Sequence, residues 1–500
     1  MSYTAALDRL YAKGLELAPS SPDTPRRKFD LEHMRVLARA LGDPQKAFPA
    51  ILIAGTNGKG STAATLASIL IAAGYRIGLY TSPHLSRVNE RIQIDGQAIS
   101  DADFARLYFQ VDSAAERLVA TAELPHHPSF FETLTAIAFA YYAEQRIEIA
   151  VLEVGLGGRL DATNIVDPVI SIITDISLDH QDYLGNTIAE ITREKAGILR
   201  PHGTLVTLPQ HPEANQAIGE AAATLELHAI SAANFTPPAE KLVSQATGIQ
   251  TGRGVIPSER TESKNPGTSP DEPQRPNFLP RNRYKLTLGN QPLQVDSPLI
   301  GQHQQRNIAL AIAAAEELRN PMGYTMLKSN PKSYTISTTA IEQGIRNTRW
   351  PGRLEFFSHP AAAPLLLDVA HNPAGAWTLR SVVAHLPESQ PRTLIFSCLR
   401  DKDLREMAQI LLPLFDASAD RPQDHILFAP INSPRAASLE ELAAITGELE
   451  IPAASVSSLT EALAEARRIT PPDGLIIATG SVYLIGELRS LALDGGYASA

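Results

Sequence analysis

The sequence predicts an α/β protein of two domains, a larger N-terminal one built on a mostly parallel sheet with helices on both faces and a smaller C-terminal one of similar construction. Three observations predict it. Apolar runs of strand length alternate with helical patterns from residue 49 to 208, as in a parallel sheet covered on both sides. A glycine-rich loop joins the first of these runs to a helix. After a long polar stretch the alternation resumes near Leu299 and continues toward the C-terminus. At 500 residues and 44% hydrophobic side chains, the chain is long enough for two or three domains of ~100–200 residues each.

The first element is the most informative. Residues 51–62 read Ile-Leu-Ile-Ala-Gly-Thr-Asn-Gly-Lys-Gly-Ser-Thr, followed by an Ala/Leu-rich segment that runs to Ala73 and stops at Gly74. Strand, glycine loop and helix in this order let backbone N–H groups and a helix N-terminus cradle phosphates while Lys59 cancels their charge. The spacing differs from G-x-x-x-x-G-K-[ST], because only two residues separate Gly55 from Gly58-Lys59 and Gly60 precedes Ser61. The first domain is therefore expected to be of P-loop type. The alternative is a plain turn between a buried strand and a helix.

Strands are expected next at 76–80, 147–154, 169–173 and 204–208, with a helix at 131–145. The strand ending in Glu153 runs into Gly155-Leu-Gly-Gly-Arg-Leu160-Asp161. Leu160 stands where a dinucleotide fingerprint needs its third glycine, so that reading is poor. Glu153 at the carboxyl end of a central strand is placed to hold a Mg²⁺ that bridges phosphate oxygens; a structural glutamate capping a glycine turn is the alternative. Asp179-His180 follows another strand, and Lys195 lies on a helix ending near Gly197. Imidazole is an unusual magnesium ligand, so the role of His180 stays open on the residues alone.

Composition changes after Phe235. Residues 250–283 hold six prolines and few large apolar side chains. Such a segment cannot bury enough surface to offset its ordering entropy, so 236–283 is read as a disordered insertion, and 320–338 as another polar one. The domains are expected at 1–298 and 299–500. In the second, a helix is expected at 307–318, strands at 364–369, 393–398, 425–428 and 474–478, and helices at 439–447 and 460–468, a Rossmann-like arrangement. Arg353 can pair with phosphate as a planar fork, and Asp368 at a strand end can accept hydrogen bonds from a ribose.

Bulk properties exclude several classes. Net charge −10, from 44 basic and 54 acidic side chains, does not suit indiscriminate nucleic-acid binding. Cys398 is the only cysteine, which excludes disulfides and thiolate–zinc clusters and suits a reducing cytoplasm. No signal peptide and no run of ~20 apolar residues is present. A cytoplasmic enzyme is expected, with neither nucleic-acid nor membrane partners.

Taken together the blocks resemble one family, the Mur-type ATP-dependent amide ligases, and within it the folylpolyglutamate synthase and dihydrofolate synthase branch. The similarity rests on Gly55-Thr-Asn-Gly-Lys-Gly-Ser61, Thr81-Ser-Pro-His-Leu85, Glu90-Arg-Ile92, Phe131-Glu132, the block from Glu153 to Asn164, Leu178-Asp-His180, Arg193-Glu-Lys-Ala-Gly-Ile198, Trp350-Pro-Gly-Arg353, Asp368-Val-Ala-His-Asn-Pro373, Asp401-Lys-Asp403 and Gly480-Ser481, in family order from about residue 30 to 490. The resemblance implies a ligase of L-glutamate to reduced folates, with dihydropteroate as a further acceptor, acting as a monomer through an acyl phosphate.

It further implies roles at matching positions. Thr56, Asn57, Gly58, Lys59, Gly60 and Ser61 would hold the ATP phosphates, and Asn307, Arg353 and Asp368 the rest of the nucleotide. Ser82, Glu153, His180 and Lys195 would serve two Mg²⁺ sites, with Lys195 carrying a CO₂-derived carbamate. His371, near the phosphates, would join Lys59 and Lys195 in catalysis. Leu31, Glu32, His33, Ser129, Phe130, Phe131, Glu132 and Leu160 would line the pterin pocket; His33 stands where the family commonly has arginine. The competing readings are a cell-wall peptide ligase of the same fold and a non-catalytic nucleotide switch or scaffold.

Overall fold

The computed structural model describes residues 2–14, 30–237, 279–319, 334–418 and 421–499. Of the two expected insertions, 238–278 and 320–333 lie outside the described residues.

Two sheets organise the chain. The first has the order β4-β3-β2-β5-β1-β6-β7-β8, with β1 Ala50–Ala54, β2 Ile77–Tyr80, β3 Ile92–Ile94, β4 Gln97–Ala98, β5 Ile149–Glu153, β6 Pro168–Ile173, β7 Thr204–Thr207 and β8 His228–Ser231. From β2 to β8 the neighbours are parallel, and β3 and β4 add an antiparallel edge. Central strands read as continuous apolar runs because both faces are covered. Ala50, Leu52 and Ala54 enter one core with α1 (Tyr3–Ala12), α2 (Leu31–Ala40), α4 (Asp101–Ala120) and α5 (Phe130–Glu144), whereas Ile51 and Ile53 enter the other with α3 (Lys59–Ala72). Three further helices follow β6 and β7: α6 (Gln181–Leu184), α7 (Ile188–Ala196) and α8 (Pro212–Thr224).

A hairpin of β9 (Arg281–Leu288) and β10 (Gln291–Ile300) leads into α9 (Gln302–Arg319) and α10 (Thr338–Asn347). Apolar side chains of the hairpin, α9 and α10 share the core on the α3 face of the first sheet. Two expectations are thereby corrected. The change of sheet comes after Asn347, not at 298/299, because a helix belongs with whichever apolar face covers it and chain order does not reveal that face. The end of the segment expected to be disordered, 281–283, is strand, paired with Asp296, Ser297 and Ile300 of β10.

The second sheet has the order β15-β14-β13-β16-β12-β11-β17. Its strands are β11 Glu355–Ser358, β12 Leu365–Leu367, β13 Arg392–Phe396, β14 His425–Phe428, β15 Ala454–Ser455, β16 Leu475–Thr479 and β17 Ala498–Ser499. Five are parallel, and β11 pairs antiparallel with both β12 and β17. Alternate residues again enter two cores, with α11 (Pro373–Val383) and α12 (Leu404–Leu411) on one face and α14 (Leu459–Ile469) and α15 (Val482–Asp494) on the other, while α13 (Leu439–Leu449) follows β14. Every strand and helix expected by number in both sheets is present within a few residues of its expected bounds. Among the described residues no helix is long and apolar enough to cross a membrane.

Candidate functional site

Open parallel sheets bind ligands beyond the carboxyl ends of their strands. Here those ends, in both sheets, border one cleft of about 260 Å³. Ser82 follows β2, Gly155 to Ala162 follow β5 and His180 follows β6, while from the second sheet come His371 after β12, Leu399 and Lys402 after β13, Arg435 after β14 and Ser481 after β16.

The loop after β1 is fixed by close contacts that explain its glycines. A Cβ on Gly55 would lie 1.8 Å from Thr174 Oγ1, and one on Gly58, at φ +89°, would lie 2.2 Å from Asn307 Oδ1. At Gly60 it would meet the Trp350 ring at 2.6 Å. The amides of Thr56 and Asn57 donate to the Asp175 carbonyl, and Thr56 Oγ1 to the Ser177 carbonyl. Lys59 opens α3 and donates from Nζ to the carbonyls of Gly55 and Thr56, both at 3.1 Å. Burial lowers its pKa.

Lys195, on α7, reaches the same place. Its Nζ donates to the Gly55 carbonyl at 2.8 Å, and burial, reinforced by the Lys59 charge, pulls its ammonium down to about 7. Glu153 ends β5 with 4% of its surface exposed. It accepts from the Ser82 amide at 3.1 Å, and burial pushes its carboxyl up to about 6 against the pull of Lys59. An enclosed carboxylate with spare acceptor capacity fits a cation. Among the described residues no cluster of three or more His, Cys, Asp or Glu has metal-holding geometry; magnesium beside phosphates needs only one or two carboxylates, so the Ser82–Glu153 pair meets that requirement.

His180 sits at φ 52° before α6. Burial and the nearby Lys402 ammonium lower its imidazole to about 3. Its neighbour Asp179 is a meeting point: Oδ1 accepts from Lys402 Nζ at 2.7 Å and Oδ2 from Asn372 Nδ2 at 3.2 Å. Burial opposes ionisation of Asp179, yet Lys402, His180 and His371 hold it well below the usual carboxylate range.

In the second sheet, Asp368 accepts from the amides of Leu354 and Ala370, both at 2.9 Å, which ties the Trp350–Arg353 turn to the end of β12. Burial lowers the Arg353 guanidinium, with Asp368 and Glu153 pulling the other way. His371 Nδ1 lies 2.7 Å from the Val369 carbonyl, and burial lowers its imidazole to about 4. A carbonyl can only accept, so Nδ1 carries the proton and Nε2 keeps its lone pair.

Of the residues assigned to the pterin pocket, Leu31, Ser129, Phe131, Glu132 and Leu160 line the cleft. Ser129 and Glu132 also form the capping box of α5. Burial opposes ionisation of Glu132, yet hydrogen bonds from His33 and Ser129 draw its carboxyl down to about 2. Phe130 is buried in the core beside Tyr11 and Arg91. Glu32 is engaged by Arg39 at 2.7 Å, and His33 is held between Glu132 and the His126 carbonyl; neither borders the cleft. Their neighbours Asp30 and Met34 do, as do Arg435 and Tyr483. Asp179, Asn372 and Lys402 stood inside quoted motifs without a role, because only the meeting of the two sheets gives them one.

Residues 53–315 match the Mur ligase middle domain, and residues 352–482 the Mur ligase glutamate ligase domain. The chain is 33% identical over 477 residues to the folylpolyglutamate synthase of Lacticaseibacillus casei, covering 94% of this chain and 96% of that one. It is 34% identical over 467 residues to the dihydrofolate synthase/folylpolyglutamate synthase of Bacillus subtilis, covering 92% and 94%. The solved structure of Escherichia coli FolC in complex with DHPP and ADP superposes with a TM-score of 0.73 at 26% identity, over 99% of this chain and 98% of that one.

Proposed function

The chain belongs to the Mur ligase family, in its folylpolyglutamate synthase and dihydrofolate synthase branch, and from that premise we propose that it is an ATP-dependent amide ligase joining L-glutamate to reduced folates and to dihydropteroate. The observation that carries the reading is the cleft where Ser82 and His180 of the first sheet face His371 and Lys402 of the second, with Glu153 bonded to the Ser82 amide and Asn57 of the glycine loop bonded to Asn372. Both walls come from one chain, which supports action as a monomer.

A carboxylate is a poor acylating agent, so the acceptor's carboxylate first takes the γ-phosphoryl group of ATP. The amine of L-glutamate then attacks, and phosphate leaves from a tetrahedral intermediate. The amides of Gly58 to Ser61 and the Lys59 ammonium, released from the Gly55 and Thr56 carbonyls, cradle the phosphates. Asn307, Arg353 and Asp368 hold the remainder of the nucleotide from the side of α9 and the second sheet. Ser82, Glu153 and His180 would hold Mg²⁺, which when bound neutralises phosphate charge and orients the γ-phosphoryl group. His371 Nε2 is an available acceptor for the proton that the L-glutamate ammonium must lose before its amine attacks. Leu31, Ser129, Phe131, Glu132 and Leu160 would seat the pterin, and closing the cleft would keep water from the acyl phosphate.

Lys195 belongs to the same reading. An amine lowered to about 7 has a substantial neutral fraction at physiological pH, and only the neutral amine can attack CO₂, losing a proton as the carbamate forms. The carbamate would turn a cation beside the metal site into an oxygen ligand for the second of two magnesium ions.

The test is phosphate release from ATP with L-glutamate and either tetrahydrofolate or dihydropteroate, with the product identified by mass spectrometry. One added glutamyl unit on each acceptor is expected. Turnover with a nucleotide-linked muramyl peptide and with neither pterin would overturn the reading.

A further inference from the structure

The two sheets have separate cores, so something must set their separation during turnover. We propose that Asp179 is the centre of a latch between them: a positioning residue that, through Lys402 and Asn372, holds the second sheet against the phosphate loop.

Three observations carry this. Both oxygens of one carboxylate are engaged by the other half of the molecule, Oδ1 by Lys402 Nζ at 2.7 Å and Oδ2 by Asn372 Nδ2 at 3.2 Å. The Asn372 amide also donates to Asn57 Oδ1 at 3.1 Å, so the latch includes the glycine loop itself. The Lys402 and Asp179 side chains are only 5% and 9% exposed. A charge pair this enclosed, whose members are 223 residues apart in sequence, is satisfied only while the halves are together. Separating them strands neither charge, because each then meets water; removing one partner in the closed form leaves the other buried and unpaired. Loss of either partner therefore penalises the closed arrangement and not the folding of either half.

Asp179 acts on the site by a second route. Its Oδ1 accepts the backbone N–H of His180 at 2.9 Å, and Lys402 Nζ lies 3.3 Å from His180 Nε2. Closing the latch thus fixes the loop that carries His180 along with the position of the second sheet. Ser86 Oγ, donating to the Gly486 carbonyl at 3.2 Å, marks another contact between the halves. There the carbonyl of Leu85 lies so near α15 that a Cβ on Gly486 would come within 1.8 Å of it. That backbone contact and the ion pair are two separate ties between the halves.

The latch rests on the ligase reading for its purpose but not for its detection. Small-angle scattering of the full chain, with and without a non-hydrolysable ATP analogue, reports the separation of the halves whatever the acceptor is. Asp179→Asn and Lys402→Met should each raise the radius of gyration of the nucleotide-bound form, and Lys402→Arg should restore it in part. In the ligase assay each of the first two should lower kcat by about tenfold or more, with KM for ATP and L-glutamate changing less than about threefold. The double variant should be no worse than the poorer single one, since one interaction cannot be lost twice. Unchanged scattering in both single variants would overturn the latch. So would a loss confined to KM for L-glutamate in Lys402→Met, which would make Lys402 a substrate ligand, or additive losses in the double variant. Circular dichroism of the near-isosteric Asp179→Asn confirms that scattering changes arise in a folded chain.

Discussion

Lys59 and Lys195 donate to the same carbonyl, that of Gly55, and substitution separates their roles. Lys59→Ala should leave the melting temperature within a few degrees of wild type, since the ammonium packs no core, and should abolish turnover; activity within about tenfold of wild type would remove Lys59 from the phosphate site. Lys195→Ala should be nearly inactive but partly rescued by acetate, and Lys195→Arg inactive and beyond rescue, because arginine keeps the charge and forms no comparable carbamate. Enzyme freed of CO₂ should regain activity on adding bicarbonate. Full activity in Lys195→Arg ends the carbamate reading. Glu153 supplies a pH dependence with a definite sign. Its carboxyl is raised from 4.5 to about 6, so it protonates as pH falls through 6 and loses the charge a cation needs. At low Mg²⁺ the ligase rate should show an acid limb near pH 6 that moves lower as Mg²⁺ rises, and in Glu153→Gln the rate should be low at every pH. In the metal-free protein the shift works oppositely: the folded state binds the proton more tightly than the unfolded chain, so this group adds stability as pH falls from about 6 to 4.5. An acid limb that ignores Mg²⁺ would return Glu153 to a structural role. His33 marks where residue-level reading stopped. Motif position put it in the pocket, whereas its ring pairs with Glu132 and the His126 carbonyl, and a helix register cannot be read from a motif alone.

At the scale of elements, the central strands β1, β2, β5, β6, β7, β12, β13, β14 and β16 were legible as continuous apolar runs, whereas β3, β4, β8, β11, β15 and β17, short strands toward the sheet edges, were not. Nor was the β9–β10 hairpin, and the reason is physical. β9 reads Arg-Asn-Arg-Tyr-Lys-Leu-Thr-Leu and buries every second residue, Asn282, Tyr284, Leu286 and Leu288. Its charged, exposed face lowers the mean hydropathy to that of the proline-rich stretch before it, and only the period-two alternation separates them. The hairpin also joins the cores. Tyr284, Leu286, Leu293 and Val295 pack with the first sheet, while Leu279 and Ile300 at its base pack with the second. A deletion that runs to Arg283 would remove Leu279, which is 1% exposed, and the Arg281–Asp296 ion pair. Leu279→Ala should therefore cost about 2–5 kcal/mol, as for other large-to-small core changes, measured by denaturant unfolding. A loss below about 0.5 kcal/mol, the size of an ordinary surface substitution, would mean that the base of the hairpin is not part of the second core.

At the scale of the whole molecule, what no single element reveals is that the two sheets present their strand ends to one cleft. The blocks lie far apart in the sequence, and Asn57, Asp179, Asn372 and Lys402 become a network only when residues from both halves meet. This arrangement has a thermodynamic consequence. The nucleotide is assigned to the glycine loop and Asn307 on one side and to Arg353 and Asp368 on the other, so its binding free energy belongs to both halves jointly. A ligand that binds only the assembled form stabilises it by about 2.7 kcal/mol at a hundred times its Kd. Interfaces between domains resemble transient protein contacts and give way separately unless something couples them. In calorimetry, magnesium with a non-hydrolysable ATP analogue should therefore raise the unfolding of both halves together and narrow any separation between their transitions. Lys59→Ala should abolish the whole effect. Arg353→Met should keep a smaller shift for the first half and lose it for the second. A nucleotide that raises only the transition of the first half in the wild-type protein, leaving the second where it was, would place the entire binding site on the first sheet and remove Arg353 and Asp368 from it.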